Sequence, residues 1–138
     1  MTNLAFARFL YFSLELKNMI EEYHFGSITI DGKIYNHDVE VRWTGEVLEW
    51  WRGESHVIDV ADINRAIEQN PDTIVIGTGE SGIAKVTERA QKEIRAKGVK
   101  LIIDPTEQAV KTFNIINEES EEEEGRRNRV IGLFHLTC

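Results

Sequence analysis

The chain has 138 residues, a formal net charge of −8, and 41% hydrophobic and 29% charged residues. A chain of this size and composition is long enough to form one globular domain around its own hydrophobic core. The negative charge argues against binding nucleic acid or an anionic membrane, because both require clustered basic residues. Cys138 is the only cysteine, so a disulfide within the chain is impossible. This favours a reducing compartment, and we expect a soluble, cytoplasmic protein.

Residues 1–18 form an apolar segment that differs from the rest of the sequence. The run from Leu4 to Leu16 is mostly apolar, but a membrane-spanning helix needs about 20 such residues. The segment also lacks the basic start and the small-residue cleavage site of a signal peptide. It is either an extra packing helix or an over-long gene start with the true start at Met19, and we favour the second explanation. We expect residues 19–138 to form a single α/β domain.

The first third of this domain has the pattern of β-strands. A strand predicted over Phe25–Ile30 ends at Asp31-Gly32, a pair typical of a two-residue hairpin turn, and Lys33–Tyr35 returns. The alternation over Asp38–Trp43 predicts a strand with one apolar and one charged face. Val47–Trp51 predicts a further strand, in which at least one of the two tryptophans packs against another element.

From Asp59 onward, helical periods alternate with short apolar runs. Asp59–Gln69 predicts a helix capped by its aspartate, and Thr73–Ile76 predicts the next strand. Apolar residues at helical spacing predict a helix over Ile83–Ile94. Val99–Ile103 predicts a strand that is covered on both faces. Helices between successive strands imply parallel pairing, so the β-rich first third adds a second sheet or extends the first.

The last part of the chain contains one more helix and one more strand. Asp104 followed by Pro105 predicts a helix start, with the aspartate as cap and the proline as the first helical residue. Glutamates crowd residues 118–128, and because like charges at this density repel, we expect an acidic loop or mobile tip there. Arg129–Thr137 predicts a buried closing strand.

The sharpest motif is Gly77-Thr78-Gly79-Glu80-Ser81-Gly82. It fits the G-x-G-x-x-G pattern between a predicted strand and a predicted helix, and Asp104 follows where a dinucleotide fold has its ribose-binding acid. However, Glu80 would repel phosphate, the chain has at most half of such a fold, and Asp104 is explained as a cap. We therefore interpret the turn first as the backbone hinge of the core. Its second interpretation is a ligand site formed by these six residues, Thr106 and the helix N–H groups.

The sequence contains no complete catalytic or metal-binding constellation. Ser55 and His56 are neighbours in the chain, so in a strand they point to opposite faces. His135 falls in the closing strand and is interpreted as a buried histidine with satisfied hydrogen bonds. Cys138 is not expected to be catalytic, and the four histidines lack the spacing of zinc ligands. We therefore predict no catalytic residue, no metal and no cofactor.

Several segments, taken in order, resemble a known family. They are Phe25–Ile28, Ile76–Gly79, Pro105-Thr106, Ala109-Val110 with Phe113-Asn114, and the closing buried strand. Together they resemble the domain of unknown function 498 family, which includes archaeal and bacterial proteins without assigned activity, a mitochondrial complex I assembly factor and an adipogenesis-associated protein. The resemblance implies a three-layer α/β fold of the β/β/α type with a mixed, partly parallel central sheet. It implies no catalytic residues.

Two functional hypotheses from different classes follow. The first is a non-enzymatic binding or assembly module that acts through contacts with an unknown protein partner. The alternative is a site for a small molecule or anion, such as a nucleotide or phosphorylated metabolite, at the Gly77–Gly82 turn, with or without catalysis. The sequence also allows a homo-oligomer, held by the apolar N-terminal segment or by an exposed Trp50 or Trp51.

Overall fold

The computed structural model describes residues 19–122 and 127–138. The apolar segment at residues 1–18, and the choice between its two explanations, lie outside the described residues. The strands are β1 (Ile20–His24), β2 (Ser27–Ile30), β3 (Lys33–Tyr35), β4 (Val39–Arg42), β5 (Val47–Glu49), β6 (Val57–Ile58), β7 (Thr73–Thr78), β8 (Lys85–Val86), β9 (Lys100–Asp104) and β10 (Val130–His135). The helices are α1 (Val60–Ile67), α2 (Glu88–Ala96) and α3 (Thr106–Glu122).

A five-stranded mixed sheet forms the centre of the fold, in the order β5-β4-β10-β7-β9. Strands β10, β7 and β9 are parallel, whereas β4 is antiparallel to both β10 and β5. Every residue of β7 and β10 is buried, as expected for parallel strands with both faces covered. The mixed, partly parallel central sheet is therefore confirmed.

Two apolar cores lie on opposite faces of this sheet, because successive side chains of a strand point to opposite sides. On one face, Val75 and Phe134 pack with α3 and with the three-stranded sheet β1-β2-β3. On the other face, Ile74 and Leu133 pack with α1, with α2 and with the short parallel pair β6-β8. The α/β class and the β-rich N-terminal third are thus confirmed, and the central sheet is the middle layer.

The predicted hairpin turn is present. Asp31 and Gly32 have φ angles of 52° and 78° and join β2 to β3, as two-residue turns with positive φ do. The strand predicted over Phe25–Ile30 is shorter, because Phe25-Gly26 forms a turn and β2 begins at Ser27. The chain before this turn forms β1, which pairs antiparallel with β2.

Strand β4 carries its predicted charged face inside the protein. Glu40 and Arg42 are both buried. Glu40 Oε2 accepts a hydrogen bond from Arg42 Nε at 2.7 Å, and Glu40 Oε1 accepts one from Arg65 Nε of α1 at 3.0 Å. Burial of these charges is tolerated because each has a partner of opposite sign. The alternation identified the two faces correctly, but it did not reveal that α1 covers the charged one.

Helix α1 begins as predicted, since the side chain of Asp59 accepts from Val60 N–H and forms a capping box with Asp62. Helix α3 begins one residue later than predicted. The Pro105 carbonyl accepts from Ala109 N–H at 2.9 Å, so Pro105, and not Asp104, takes the cap position.

Two further predictions about these elements are wrong. The acidic loop predicted for residues 118–128 is helical at 118–122, because glutamate is a good helix former and continues α3. The strand predicted to be covered on both faces is β9, which lies at the edge of the sheet and is only half-buried.

Candidate functional site

The Gly77–Gly82 turn leaves the carboxyl end of β7 and is fastened to two other segments. Gly79 N–H donates to Thr106 Oγ1 at 2.8 Å, and the Gly79 carbonyl accepts from Thr106 N–H at 3.0 Å. Glu80 N–H donates to the Thr137 carbonyl at 2.7 Å. These backbone groups therefore hold the turn against α3 and against the residues that follow β10.

Gly79 is demanded both by backbone conformation and by space. Its φ is 100°, a region that residues with a side chain rarely adopt. A Cβ at this position would overlap the Cys138 carbonyl group and would lie 2.8 Å from the Thr137 carbonyl oxygen. At Gly77, a Cβ would lie 2.8 Å from Thr106 Oγ1. The two glycines allow three backbone segments to meet at this point.

The turn does not open a helix, contrary to the sequence prediction. After Gly82 the chain forms β8, and α2 begins only at Glu88, where Thr87 Oγ1 caps it by accepting from Ala90 N–H at 3.1 Å. The helical spacing predicted over Ile83–Ile94 is therefore wrong in its first part, since pairing of β8 with β6 and the Thr87 cap decide the helix start. The helix N–H groups expected to bind an anion are not supplied by this turn.

The predicted ligand-binding residues fall into a buried and an accessible group. The buried group consists of Gly77, Thr78, Gly79 and Thr106. Thr106 is completely buried, and its hydroxyl donates to the His135 carbonyl at 2.5 Å in addition to accepting from the turn. Thr78 Oγ1 donates to the Asp104 carbonyl at 3.1 Å. Both threonine side chains therefore connect strand ends within the fold.

The accessible group consists of Glu80, Ser81 and Gly82. Beside this part of the turn lies a cavity of about 350 Å³, whose lining includes Ser81, Gly82 and Thr78 together with Lys85 and Asp104. The structure thus brings Thr78, Ser81 and Gly82 of the predicted site to one cavity, whereas Gly77, Gly79 and Thr106 do not line it. Ligand binding by any of these residues stays a prediction.

A second cluster, which sequence reasoning did not find, joins Asp38, Arg52 and His135. Asp38 Oδ2 accepts from Arg52 Nη2 at 2.7 Å and lies 2.8 Å from His135 Nδ1. Asp38 Oδ1 accepts from Leu136 N–H at 2.9 Å. The cluster borders a groove of about 260 Å³ whose lining includes Asp38, Arg52 and the exposed Trp51.

The side chain of Arg52 is fully occupied by the protein itself. Its Nε and one Nη2 hydrogen serve Asp38, and Nη1 donates to the carbonyls of Glu54 and Ser55 at 2.7 and 2.8 Å. The remaining Nη2 hydrogen faces His135 Nδ1, and the two nitrogens are 2.7 Å apart. Depending on the histidine tautomer, His135 Nδ1 accepts from Arg52 or donates to Asp38. All five guanidinium N–H groups therefore face protein atoms, so the cluster is a structural clamp.

Electrostatics agree with a clamp. Burial raises the pKa of Asp38, but hydrogen bonds from His135, from Leu136 N–H and from Arg52 outweigh burial and hold that pKa below its ordinary value. The carboxylate is therefore ionised at neutral pH and keeps its partners in place. His135 is buried and hydrogen-bonded, in agreement with its interpretation from the sequence.

Ser55 and His56, the neighbouring pair considered as nucleophile and base, have different partners. Ser55 uses its carbonyl to accept from Arg52, while His56 Nε2 lies 3.3 Å from Cys138 Sγ. Within residues 19–122 and 127–138, no three His, Cys, Asp or Glu side chains are grouped as metal ligands. In the same part of the chain, no helix has the length and apolarity needed to cross a membrane.

The fold and these sites define a mixed α/β protein whose conspicuous glycine turn and buried charged cluster both hold strand ends together. The chain belongs to the family described as protein of unknown function (DUF498/DUF598), which matches residues 20–134. This confirms the resemblance drawn from the glycine turn and the order of the surrounding motifs.

Solved structures of similar proteins agree with this assignment. A conserved hypothetical protein from Pyrococcus horikoshii OT3 is 27% identical, with a TM-score of 0.70 over 86% of this chain and 98% of the other. The protein MT938 is 28% identical, with a TM-score of 0.67 over 87% and 98% of the two chains. An outer membrane protein from Bartonella henselae is 18% identical, with a TM-score of 0.73 over 90% and 98%, and shows the fold alone.

Proposed function

We propose that the protein is a non-enzymatic binding or assembly module that recognises a protein partner through an apolar surface at one end of the central sheet. The observation that carries this proposal is the exposure of Trp51. Trp50 is 4% exposed and its ring N–H donates to the Asp62 carbonyl at 2.8 Å, whereas Trp51 is 79% exposed. Exposed apolar surface marks interaction sites, and tryptophan is enriched among the residues that dominate binding energy.

Two more large apolar side chains, Phe25 and Ile83, are 58% and 47% exposed. The segments that carry all three are bonded to His135, Leu136 and Cys138, at the end of β10 and just after it. The bonds are Gly26 N–H to the Leu136 carbonyl at 2.8 Å, Arg52 Nη2 to His135 Nδ1 at 2.7 Å, and Ile83 N–H to the Cys138 carbonyl at 3.3 Å. We call the surface formed by Phe25, Trp51 and Ile83 around residues 135–138 the apolar rim.

The charge around the apolar rim indicates what kind of partner fits it. Glu54 and Glu80 are exposed on the same segments as Trp51 and Ile83, and the whole chain carries a net charge of −8. Complementary charge at the edge of an interface steers association and excludes wrong partners. A partner with an apolar centre and a basic periphery therefore fits this surface.

Two further considerations support the proposal. An assembly role is what the family resemblance implies through its complex I assembly factor. The single cysteine of the chain suits action in the cytoplasm.

Affinity capture from native lysate tests this proposal when it is run with matched variants. We expect a partner to be enriched by the unmodified chain and to be reduced at least about tenfold by Trp51→Ala, since truncating a central anchor commonly costs that much affinity. Ile115→Ala is the control, because Ile115 is 55% exposed on α3, about 14 Å along the helix from Thr106. Equal capture by the Trp51 variant, or no reproducible partner, contradicts the proposal.

A second candidate function is small-molecule binding beside the Gly77–Gly82 turn. The cavity of about 350 Å³ favours it, because Thr78, Ser81 and Lys85 bring hydroxyl and ammonium groups to its lining. A thermal-shift screen with nucleotides and phosphorylated metabolites tests it. A ligand at a hundred times its Kd stabilises the folded protein by about 2.7 kcal/mol, and a flat screen removes this candidate.

A further inference from the structure

The two edges of the central sheet are closed to different degrees. At one edge, β5 has three residues, and the Glu49 carbonyl accepts from Arg65 Nη2 at 2.8 Å. At the other edge, β9 has five residues, with β7 on one side and, in the described part of the chain, no strand on the other. The residues Leu101–Asp104 are half-buried, whereas β7 is buried throughout. Strand β9 is therefore the open edge.

The direction of the β9 backbone groups follows from its pairing with β7. Lys100 N–H donates to the Asp72 carbonyl at 3.0 Å, and the two strands then pair residue by residue in parallel. In a parallel ladder, both backbone groups of every second residue face the same neighbour. The residues that face β7 are Lys100, Ile102 and Asp104. Leu101 and Ile103 therefore point their N–H and C=O groups outward, where no other described residue bonds to them.

We propose that this edge pairs antiparallel with β9 of a second copy of the chain, with Ile102 opposite Ile102. In that register, a two-fold axis relates the two copies, and Leu101 of each copy lies opposite Ile103 of the other. These are the two residues with outward backbone groups, so four inter-chain N–H···O bonds form without a change in the ladder to β7. The two central sheets become one continuous sheet.

The charges at the ends of β9 select this partner and this register. Lys100 begins the strand and Asp104 ends it, with three apolar residues between them. Antiparallel pairing about Ile102 places each Lys100 opposite Asp104 of the other copy, at positions without hydrogen bonds, where side chains approach most closely. Parallel pairing in register would place like charges opposite each other, and a shifted antiparallel register would leave both charges opposite other residues. The strand is thus complementary to itself.

This interface is separate from the apolar rim, so it stands or falls independently of the proposed function. Sedimentation of the full chain over a range of concentrations tests it. The unmodified chain is expected to show a monomer–dimer equilibrium. Either Lys100→Asp or Asp104→Lys is expected to raise the dimer Kd about tenfold, because both attractive pairs become repulsive. The double variant Lys100→Asp/Asp104→Lys restores attraction and is expected to return the Kd close to its original value.

A monomer at every concentration overturns the proposal, and so does a double variant that dimerises as weakly as the single ones. Circular dichroism confirms that each variant is folded. Ile103→Pro is an additional probe, because proline removes an N–H that faces outward and is tolerated at a strand edge. It is expected to abolish dimerisation, and an unchanged Kd overturns the proposal.

Amide hydrogen exchange of the unmodified chain supplies a measurement that needs no variant. At low concentration, the amides of Ile102 and Asp104 are expected to be protected by β7, while those of Leu101 and Ile103 exchange quickly. Raising the concentration through the Kd is expected to protect Leu101 and Ile103. If these two amides are protected equally at all concentrations, another part of the chain covers the edge, and the proposal is overturned.

Discussion

The glycine turn and the Asp38 cluster hold the same strand end by opposite means. The turn bonds to residues at the end of β10 through neutral backbone and hydroxyl groups, and it depends on the absence of side chains at Gly77 and Gly79. The cluster bonds to His135 and Leu136 through the partly buried carboxylate of Asp38, and it depends on the charge of that carboxylate and of Arg52. The glycine turn, which the sequence revealed, and the Asp38 cluster, which it did not, therefore both hold the end of β10 in place. The turn is sensitive to added side-chain volume, and the cluster is sensitive to loss of charge.

Removing the charge of Asp38 should have the largest effect on the free energy of unfolding. Asp38→Ala leaves the Arg52 guanidinium buried without its carboxylate and Leu136 N–H without an acceptor, so we expect the free energy of unfolding to fall by about 4 kcal/mol. Asp72→Ala is the control, because its ion pair with Arg129 is half exposed and should contribute less than about 1 kcal/mol. Chemical denaturation measures both. Equal losses would mean that the cluster is an ordinary surface ion pair.

Adding volume at the turn should have the next largest effect. Gly79→Ala combines a positive φ with overlap of the Cys138 carbonyl, and we expect a loss of about 3 kcal/mol. Gly98→Ala separates the two causes, because Gly98 has a φ of 76° but nothing within 4 Å of the added Cβ. The control should lose about 1 kcal/mol in the same denaturation experiment. If the two variants are equally stable, the close approach at Gly79 has no energetic consequence.

The pH dependence of stability distinguishes the Asp38 cluster, which is charged, from the glycine turn, which is neutral. Because the pKa of Asp38 is lowered in the folded protein, the unfolded chain binds the extra proton as the pH falls. The stability contributed by Asp38 is therefore present above the unfolded pKa of about 3.9 and is lost as the pH falls through the folded pKa. The stability difference between the unmodified chain and Asp38→Asn should shrink from pH 7 to pH 3. The difference for Gly79→Ala should stay constant, and a parallel change in both would refute this separation.

The smallest effect is expected at Trp51, which adjoins the charged clamp without belonging to it. Because its side chain is 79% exposed, Trp51→Ala should change the free energy of unfolding by no more than about 0.5 kcal/mol. Thermal unfolding followed by circular dichroism measures this. A large loss would show that the ring packs in solution, and loss of partner capture could then be attributed to unfolding.

The predictions that succeeded rest on local sequence. Asp31-Gly32 occupies a turn that requires two positive φ angles, and Asp59 caps α1 through its nearest helical neighbours. Parallel pairing followed from the order of short apolar runs and helices. Membership of the family followed from several weak motifs in a fixed order, and the mixed sheet followed from that resemblance. These features need no knowledge of distant contacts.

The predictions that failed needed such knowledge. The periodicity over Ile83–Ile94 fits a helix, but the pairing of β8 with β6 and the Thr87 cap displace its start. Asp38 and His135 are 97 positions apart, so no local pattern indicates that they meet. The same holds for the partners of Gly79. Its N–H group bonds to Thr106 of α3, and the residues that leave no space for a side chain are Thr137 and Cys138, after β10.

Strand β10 lies between β4 and β7, yet it follows all the other described strands in the sequence. During synthesis, β4-β5 and β7-β9 therefore emerge as two halves of the central sheet that have no hydrogen bonds to each other, and each half has an unpaired edge. They can be joined only after Val130–His135 has left the ribosome. A nascent chain halted before this strand exposes two sheet edges at once and should be a substrate for chaperones.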